Sequence, residues 1–340
     1  MSGRTVRIAA AGLALGGLII AVSVLQTRKL VGHITGDPYA HVFTRLDNSL
    51  DILFALGDGQ GFLAFARDPT LSHPEVFVVR GEGAYRADRP LQGYLGWAFS
   101  FGQKDWAEEG LIAATVLGCG LAAAACGELL RRRGRNPWLG LLLLILPGAI
   151  GGVRQFSPEV IGFGFVCLGL MAADDQRYWP SIAFFTLAGL CRETYLIVPL
   201  FLIRKDRRFA IPVASWVAWA GVVWARFGVF GPTADVAGAK VLGLPFVGLI
   251  RAIPRLHFAP VTALAIAAIP VLVIACVRER PRDPFTAYVI AYGVLAIFLR
   301  YYSWLWWPSF GRPLLPLTVF ALIALATKTY SGERSRLEPG

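Results

Sequence analysis

The chain has 340 residues, 56% of them hydrophobic and 16% charged, with a mean hydropathy of +0.57 and a net charge of +11. Soluble globular proteins carry about 25% charged residues, so the composition excludes an ordinary soluble domain and predicts an all-α, polytopic membrane helix bundle forming a single domain over residues 1–340. The five cysteines all fall in apolar segments without metal-ligand spacing, which excludes a disulfide framework.

Arg4 and Arg7 precede an apolar run from Ile8 that exceeds the 7–15 residues of a signal-peptide core; it reads as a retained first span, about 6–26. A long polar loop, 27–109, follows. Further spans are expected at about 110–130, 137–152, 158–173, 209–229, 260–277, 284–300 and 312–327, each near the roughly 20 residues that cross a bilayer. Residues 179–203 have cytoplasmic-type flanks on both sides, so that stretch crosses an even number of times. It reads as a re-entrant hairpin of two half-helices, about 180–191 and 195–203, meeting at Arg192-Glu193. The total is about ten membrane segments. Arg192 and Glu193 have two readings, a functional site inside the membrane or a structural ion pair at a helix break. The aromatic run 301–307 likewise reads as an interfacial belt or as a stacking surface for a sugar or prenyl chain.

Lys and Arg favour the cytoplasmic side. Basic clusters at 131–135, 204–208 and 278–282, with a tail over 328–340, place both termini inside and the loop 27–109 outside. That loop holds eight Lys/Arg against eleven Asp/Glu, a balance of −3, leaving +14 for the rest of the chain. The basic charge is thus topological, and no nucleic-acid partner is expected. The predicted location is a cell membrane, with membrane lipids as surroundings.

Within the loop, residues 40–56 have helical apolar spacing and read as an amphipathic helix lying in the interface plane. It delivers Gly57-Asp58-Gly59-Gln60 to the membrane surface. Glycines on both sides of Asp58 permit a tight turn that leaves the carboxylate open; an Asp in such a turn also serves purely as a turn residue. Residues 91–101 are too short to span, and either re-enter or lie flat. Sugar transfer from a lipid phosphate requires a carboxylate to take the acceptor proton and cations to stabilise the departing phosphate. Asp58 with Arg86, Arg89 and Arg312 offers both.

The stretch Asp58, Gly59, Gln60, Ala64, Ala66, Asp68, Pro69, then Tyr85, Arg86, Arg89, Leu91, Leu95, Trp97 and Gly102 resembles the first outer loop of bacterial multispanning proteins of the GT-C glycosyltransferase superfamily. Residues 187–196 resemble that family's mid-chain Arg-Glu-Thr element, and Gly311-Arg312-Pro313-Leu314-Leu315-Pro316 its late Arg-x-Leu-x-Pro helix start. The resemblance is dense over about 45 residues and sparse elsewhere. It implies catalysis on the non-cytoplasmic side, a polyprenyl-phosphate sugar donor, and a glycan, lipid or protein of the cell envelope as acceptor. It implies Asp58 as base; Gln60, Tyr85, Arg86, Arg89 and Arg312 are the candidate substrate-binding residues, the three arginines as phosphate partners, with Arg192 and Glu193 as a structural or donor-lining pair. The sequence departs from the pattern at Gly61, Phe62 and Leu63, where aromatic and Tyr residues are expected, and at Gly93, where a proline is expected. His33, His41 and His73 are irregularly spaced and read as surface histidines. The sequence specifies no cofactor, and the superfamily allows a divalent metal at Asp58 or Asp37. Rival readings are a lipid-linked glycan transporter or flippase and a non-catalytic envelope-assembly protein.

Overall fold

The structure, a computed structural model, describes residues 3–28, 48–55, 57–73, 80–231, 242–256, 260–305 and 310–326. The described residues are mainly helical and contain no strand, only an isolated antiparallel bridge between Leu242 and Leu299. In chain order the helices are α1 (Gly3–Thr27), α2 (Ser49–Ala55), α3 (Gly59–Arg67), α4 (Arg80–Ala87), α5 (Pro90–Phe99), α6 (Ala107–Arg132), α7 (Leu142–Ile145), α8 (Pro147–Arg154), α9 (Glu159–Asp174), α10 (Tyr178–Cys191), α11 (Ile197–Leu202), α12 (Ile211–Phe227), α13 (Val247–Leu256), α14 (Pro260–Glu279), α15 (Pro284–Ile297), α16 (Tyr301–Leu305) and α17 (Leu315–Ala326). His33, Asp37, His41, most of the expected amphipathic helix, Trp306, Trp307 and the tail 328–340 lie outside the described residues.

Among the described residues, four helices are long and apolar enough to cross a membrane, in α1, α6, α12 and α14 with their flanking turns; a bent pair raises this to five. That is fewer than the ten segments expected, and the reasons are local. Over 137–152, Pro147 holds Leu146 in extended backbone (ψ 142°), and the two halves meet at 64°. α15 stops at Ile297 because the following backbone is taken up elsewhere: Gly243 N–H donates to Phe298 O (2.8 Å) and Phe246 N–H to Ile297 O (2.7 Å). With 14 and 12 residues, α15 and α17 are about 21 and 18 Å long, short of a roughly 30 Å hydrocarbon core.

The stretch 27–109 carries four helices of its own, α2 to α5. α5 lies antiparallel against the start of α6, where Gln92 Nε2 donates to Thr115 Oγ1 (3.0 Å) in a buried contact. The main core joins α1, α6, α9, α10, α15 and α17. α1 reaches α6 closely because Gly12 and Gly16 face Cys119 and Ala123; a Cβ at either glycine would lie 2.8–2.9 Å from them, the small-residue packing favoured between membrane helices.

Two ends of this bundle differ in chemistry. α9 spans 16 residues, about 24 Å, from Glu159 to Asp174. At its far end three basic segments converge. Arg132 pairs with Asp175 (2.7 Å), Arg133 lies 3.8 Å from Asp283, and Arg208 stacks over Tyr178 at 5.0 Å. α10 runs back along α9, so that Gly162 faces Cys191 and Tyr195. The helix breaks at Arg192, which is extended (φ −159°, ψ 127°), and α11 returns until Leu202 lies near Leu170. The Arg192-Glu193 tip therefore sits at the Glu159 end.

Candidate functional site

The Glu159 end gathers seven of the eight residues singled out in the sequence. Asp58 occupies the residue before α3. Its backbone is right-handed helical (φ −66°, ψ −17°) and its side chain caps nothing. The flanking glycines have no left-handed φ. They serve close packing instead: a Cβ on Gly57 would meet Gln155 at 3.0 Å, and one on Gly59 would meet Phe54 at 3.0 Å and Phe156 at 3.2 Å. Phe54 and Phe156 stack with ring centroids 4.1 Å apart.

The Asp58 carboxylate is shared between two arginines. Arg86 Nε donates to Oδ1 (3.3 Å) and Arg312 Nη1 donates to Oδ2 (2.5 Å), with all three side chains 12–14% exposed. Burial works to raise the Asp58 pKa, but the charges of Arg312 and Arg86 outweigh it and hold the carboxyl well below the usual range. Asp58 is ionised and clamped, with both carboxylate oxygens occupied by guanidinium groups. Gly61 makes room for the clamp, since a Cβ there would lie 2.1 Å from Arg86 Cδ. Arg312 is set by a backbone crossing one residue earlier, where Gly148 of α8 lies so close to Gly311 that an added Cβ would fall 2.1 Å from its carbonyl oxygen.

Arg312 Nη1 also donates to Ser157 Oγ (3.4 Å) and lies 4.0 Å from Glu159 Oε1. Glu159, fully buried, forms an ion pair with Arg192. Tyr195 O–H donates to the Glu159 carbonyl (2.6 Å). The chain Arg86–Asp58–Arg312–Glu159–Arg192 therefore ties the first polar loop to α9, to the break after α10 and to the start of α17. Sequence reasoning missed Glu159. Its signal was weak, an acid in the first turn of an apolar helix, which is ordinary helix-start chemistry.

Arg89 takes a different role from Arg86. Pro90 begins α5 and leaves Arg89 outside the helical region (φ −116°, ψ 63°). Its fork is committed to Glu193, Nε to Oε2 at 3.0 Å and Nη2 to Oε1 at 2.9 Å, and its guanidinium lies 4.1 Å over the Tyr85 ring. Arg192 and Glu193 thus do not pair with each other; each binds a different partner. Gln60 is buried on α3 and makes no hydrogen bond with another described residue.

Asp88, also missed, is 3% exposed beside this pair, and its Oδ1 has no hydrogen-bond partner among the described residues. Burial and the Glu193 charge, against a smaller opposing effect of Arg89, push its pKa up to about 7. With Asp88 neutral, Arg86, Arg89, Arg192 and Arg312 face three carboxylates, a surplus of one positive charge.

A divalent metal does not fit these residues. Both Asp58 oxygens face guanidinium groups, and no group of three or more His, Cys, Asp or Glu comes together among the described residues. No family model, curated protein or solved structure matches the chain.

Proposed function

We propose that the chain is a multi-pass plasma-membrane glycosyltransferase of GT-C type. In this reading the short helices complete partial spans, both termini are cytoplasmic, and the Asp58 end faces outward. It transfers a sugar from a polyprenyl phosphate to an envelope glycan, lipid or protein. The observation that carries the reading is the carboxylate of Asp58 held between Arg86 and Arg312.

The chemistry follows from that clamp. The donor is a phosphodiester with one negative charge, as the carboxylate has, and its two non-bridging oxygens, delivered by the binding of lipid and sugar, take the guanidinium contacts in place of Asp58. Released, the carboxylate loses the charges that depress its pKa and becomes a competent base. It takes the proton of the acceptor hydroxyl while the acceptor oxygen bonds to the anomeric carbon with inversion. The bond from that carbon to the phosphate oxygen breaks, and its electron pair leaves with the polyprenyl phosphate. Arg86 and Arg312 hold the charge that develops there. Arg89–Glu193 and Arg192–Glu159, already committed to each other, fix the walls rather than bind phosphate.

Purified protein given a panel of labelled polyprenyl-phosphate sugars and envelope acceptors tests the reading. Transfer from one donor is the expected result. Movement of lipid-linked sugar between leaflets without any transfer would favour the transporter reading. Cysteine labelling that places residues 57–73 on the cytoplasmic side would remove both the topology and the donor class.

A further inference from the structure

The opposite end of the bundle, about 24 Å away along α9, holds a cavity of about 290 Å³. Its polar lining includes Arg133, Asp174, Lys205 and Tyr288, and Phe285 forms part of its apolar wall. Three cations at this rim are spent on carboxylates: Arg131 on Glu128 (2.7 Å), Arg132 on Asp175 (2.7 Å) and Arg208 on Asp206 (2.6 Å). Arg133 is not. Its carboxylate neighbour Asp283 is 3.8 Å away, too far for a hydrogen bond, and its guanidinium stacks on Phe285 at 4.6 Å. Lys205 has no ion partner among the described residues. Tyr288 is 4% exposed, yet its hydroxyl makes no hydrogen bond with another described residue.

Two cations and one hydroxyl thus line the cavity without a side-chain hydrogen bond to another described residue, beside the exposed carboxylate of Asp174 and with Asp283 in loose ion-pair range of Arg133. The complement is an anion with several acceptor oxygens, and the volume suits a headgroup rather than a large ligand. We infer that this cavity binds a phosphate ester, with Arg133 and Lys205 on the phosphate oxygens and Tyr288 O–H donating to one of them. An anionic phospholipid is one source: basic pockets between helices at a membrane's cytoplasmic face hold such headgroups. Phe201, 45% exposed and 5.6 Å from the Tyr288 ring, supplies an apolar surface beside the cavity for an acyl chain. A soluble phosphate ester is the other.

Detergent-purified full-length protein would be titrated with phosphatidylglycerol, with phosphatidylcholine and with glycerol 3-phosphate, and binding read by native mass spectrometry and by the shift in Tm. Wild type is expected to bind phosphatidylglycerol in preference to phosphatidylcholine, or to bind glycerol 3-phosphate; the first result assigns the lipid source and the second the soluble one. The double variant Arg133→Gln/Lys205→Gln should bind at least about tenfold more weakly, as loss of charge-assisted hydrogen bonds predicts. Tyr288→Phe, which keeps the ring packing, should weaken binding severalfold. Arg207→Gln/Arg282→Gln removes as much charge from the same end outside the cavity, and should change binding less than twofold. Binding of neither ligand, or equal losses in the two double variants, overturns the proposal.

Discussion

Arg312 reaches Asp58 across 254 positions of sequence, placing Nη1 2.5 Å from Oδ2. Arg86 holds the other carboxylate oxygen, so the acid lies between two guanidinium groups that repel each other without it. Asp58→Ala should therefore cost more stability than Arg312→Ala, because it removes the carboxylate that two largely buried cations share. Breaking a buried pair costs about 3–5 kcal/mol. Asp58→Ala/Arg312→Ala should cost less than the sum of the two single losses, with a coupling of about 0.5–3 kcal/mol in a double-mutant cycle read from denaturant unfolding in detergent. Additive losses would mean that the contact is not formed.

Glu159 is predicted to be as important as the residues found from sequence. Its only ion-pair partners among the described residues are Arg192 and Arg312, and Arg192 has a side chain 5% exposed. Glu159→Gln should destabilise by about 3–5 kcal/mol, and adding Arg192→Met should restore most of it. A Glu159→Gln protein as stable as wild type would remove Glu159 from the network.

Asp88 should give stability a pH dependence of unusual sign for an acid. Its folded pKa, raised to about 7, lies above the ordinary value of 3.8, so between those values the folded state binds more protons than the unfolded state. Stability then falls as pH rises through that window, and the cost is complete above about 7. Asp88→Asn removes the titration. It should raise Tm at pH 8 and give little or no gain at pH 4. A gain independent of pH would show that Asp88 does not titrate in this window.

Two glycines that depart from the GT-C-like pattern have structural partners. A Cβ at Gly93 would lie 1.9 Å from Phe65 Cδ1 and 2.8 Å from its Cβ, so Gly93→Ala should cost about 1–3 kcal/mol through overpacking, relieved by Phe65→Leu. A Cβ at Gly61 would displace the Arg86 stem. Gly61→Ala should lower transfer more than it lowers Tm, since it moves one jaw of the clamp. Thermal unfolding beside a transfer assay separates the two effects.

These pairings show which parts of the molecule were legible in the sequence. Asp58, Arg86 and Arg312 stand in recognisable motifs, and the structure brings them together. Their partners were not legible. Arg89 finds Glu193 104 positions away, a contact that no local pattern encodes. Arg192 and Glu193 are adjacent in sequence, but Arg192 is extended, and successive side chains of extended backbone point to opposite sides. Apolar run length located the helices, but those over 137–152, 209–229, 284–300 and 312–327 are shorter or broken. Pro147 and the backbone contacts after Ile297 cut two expected spans short, and hydropathy alone is blind to both.

The most direct test of the central claim separates donor binding from turnover in Asp58→Asn. If a donor phosphate must displace Asp58 from Arg86 and Arg312, neutralising the carboxylate should leave the donor bound as tightly as in wild type or more tightly. Sugar transfer should meanwhile fall by about 10²–10⁴, the usual contribution of a general base. Transfer at the wild-type rate, or weaker donor binding with unchanged turnover, would contradict the account.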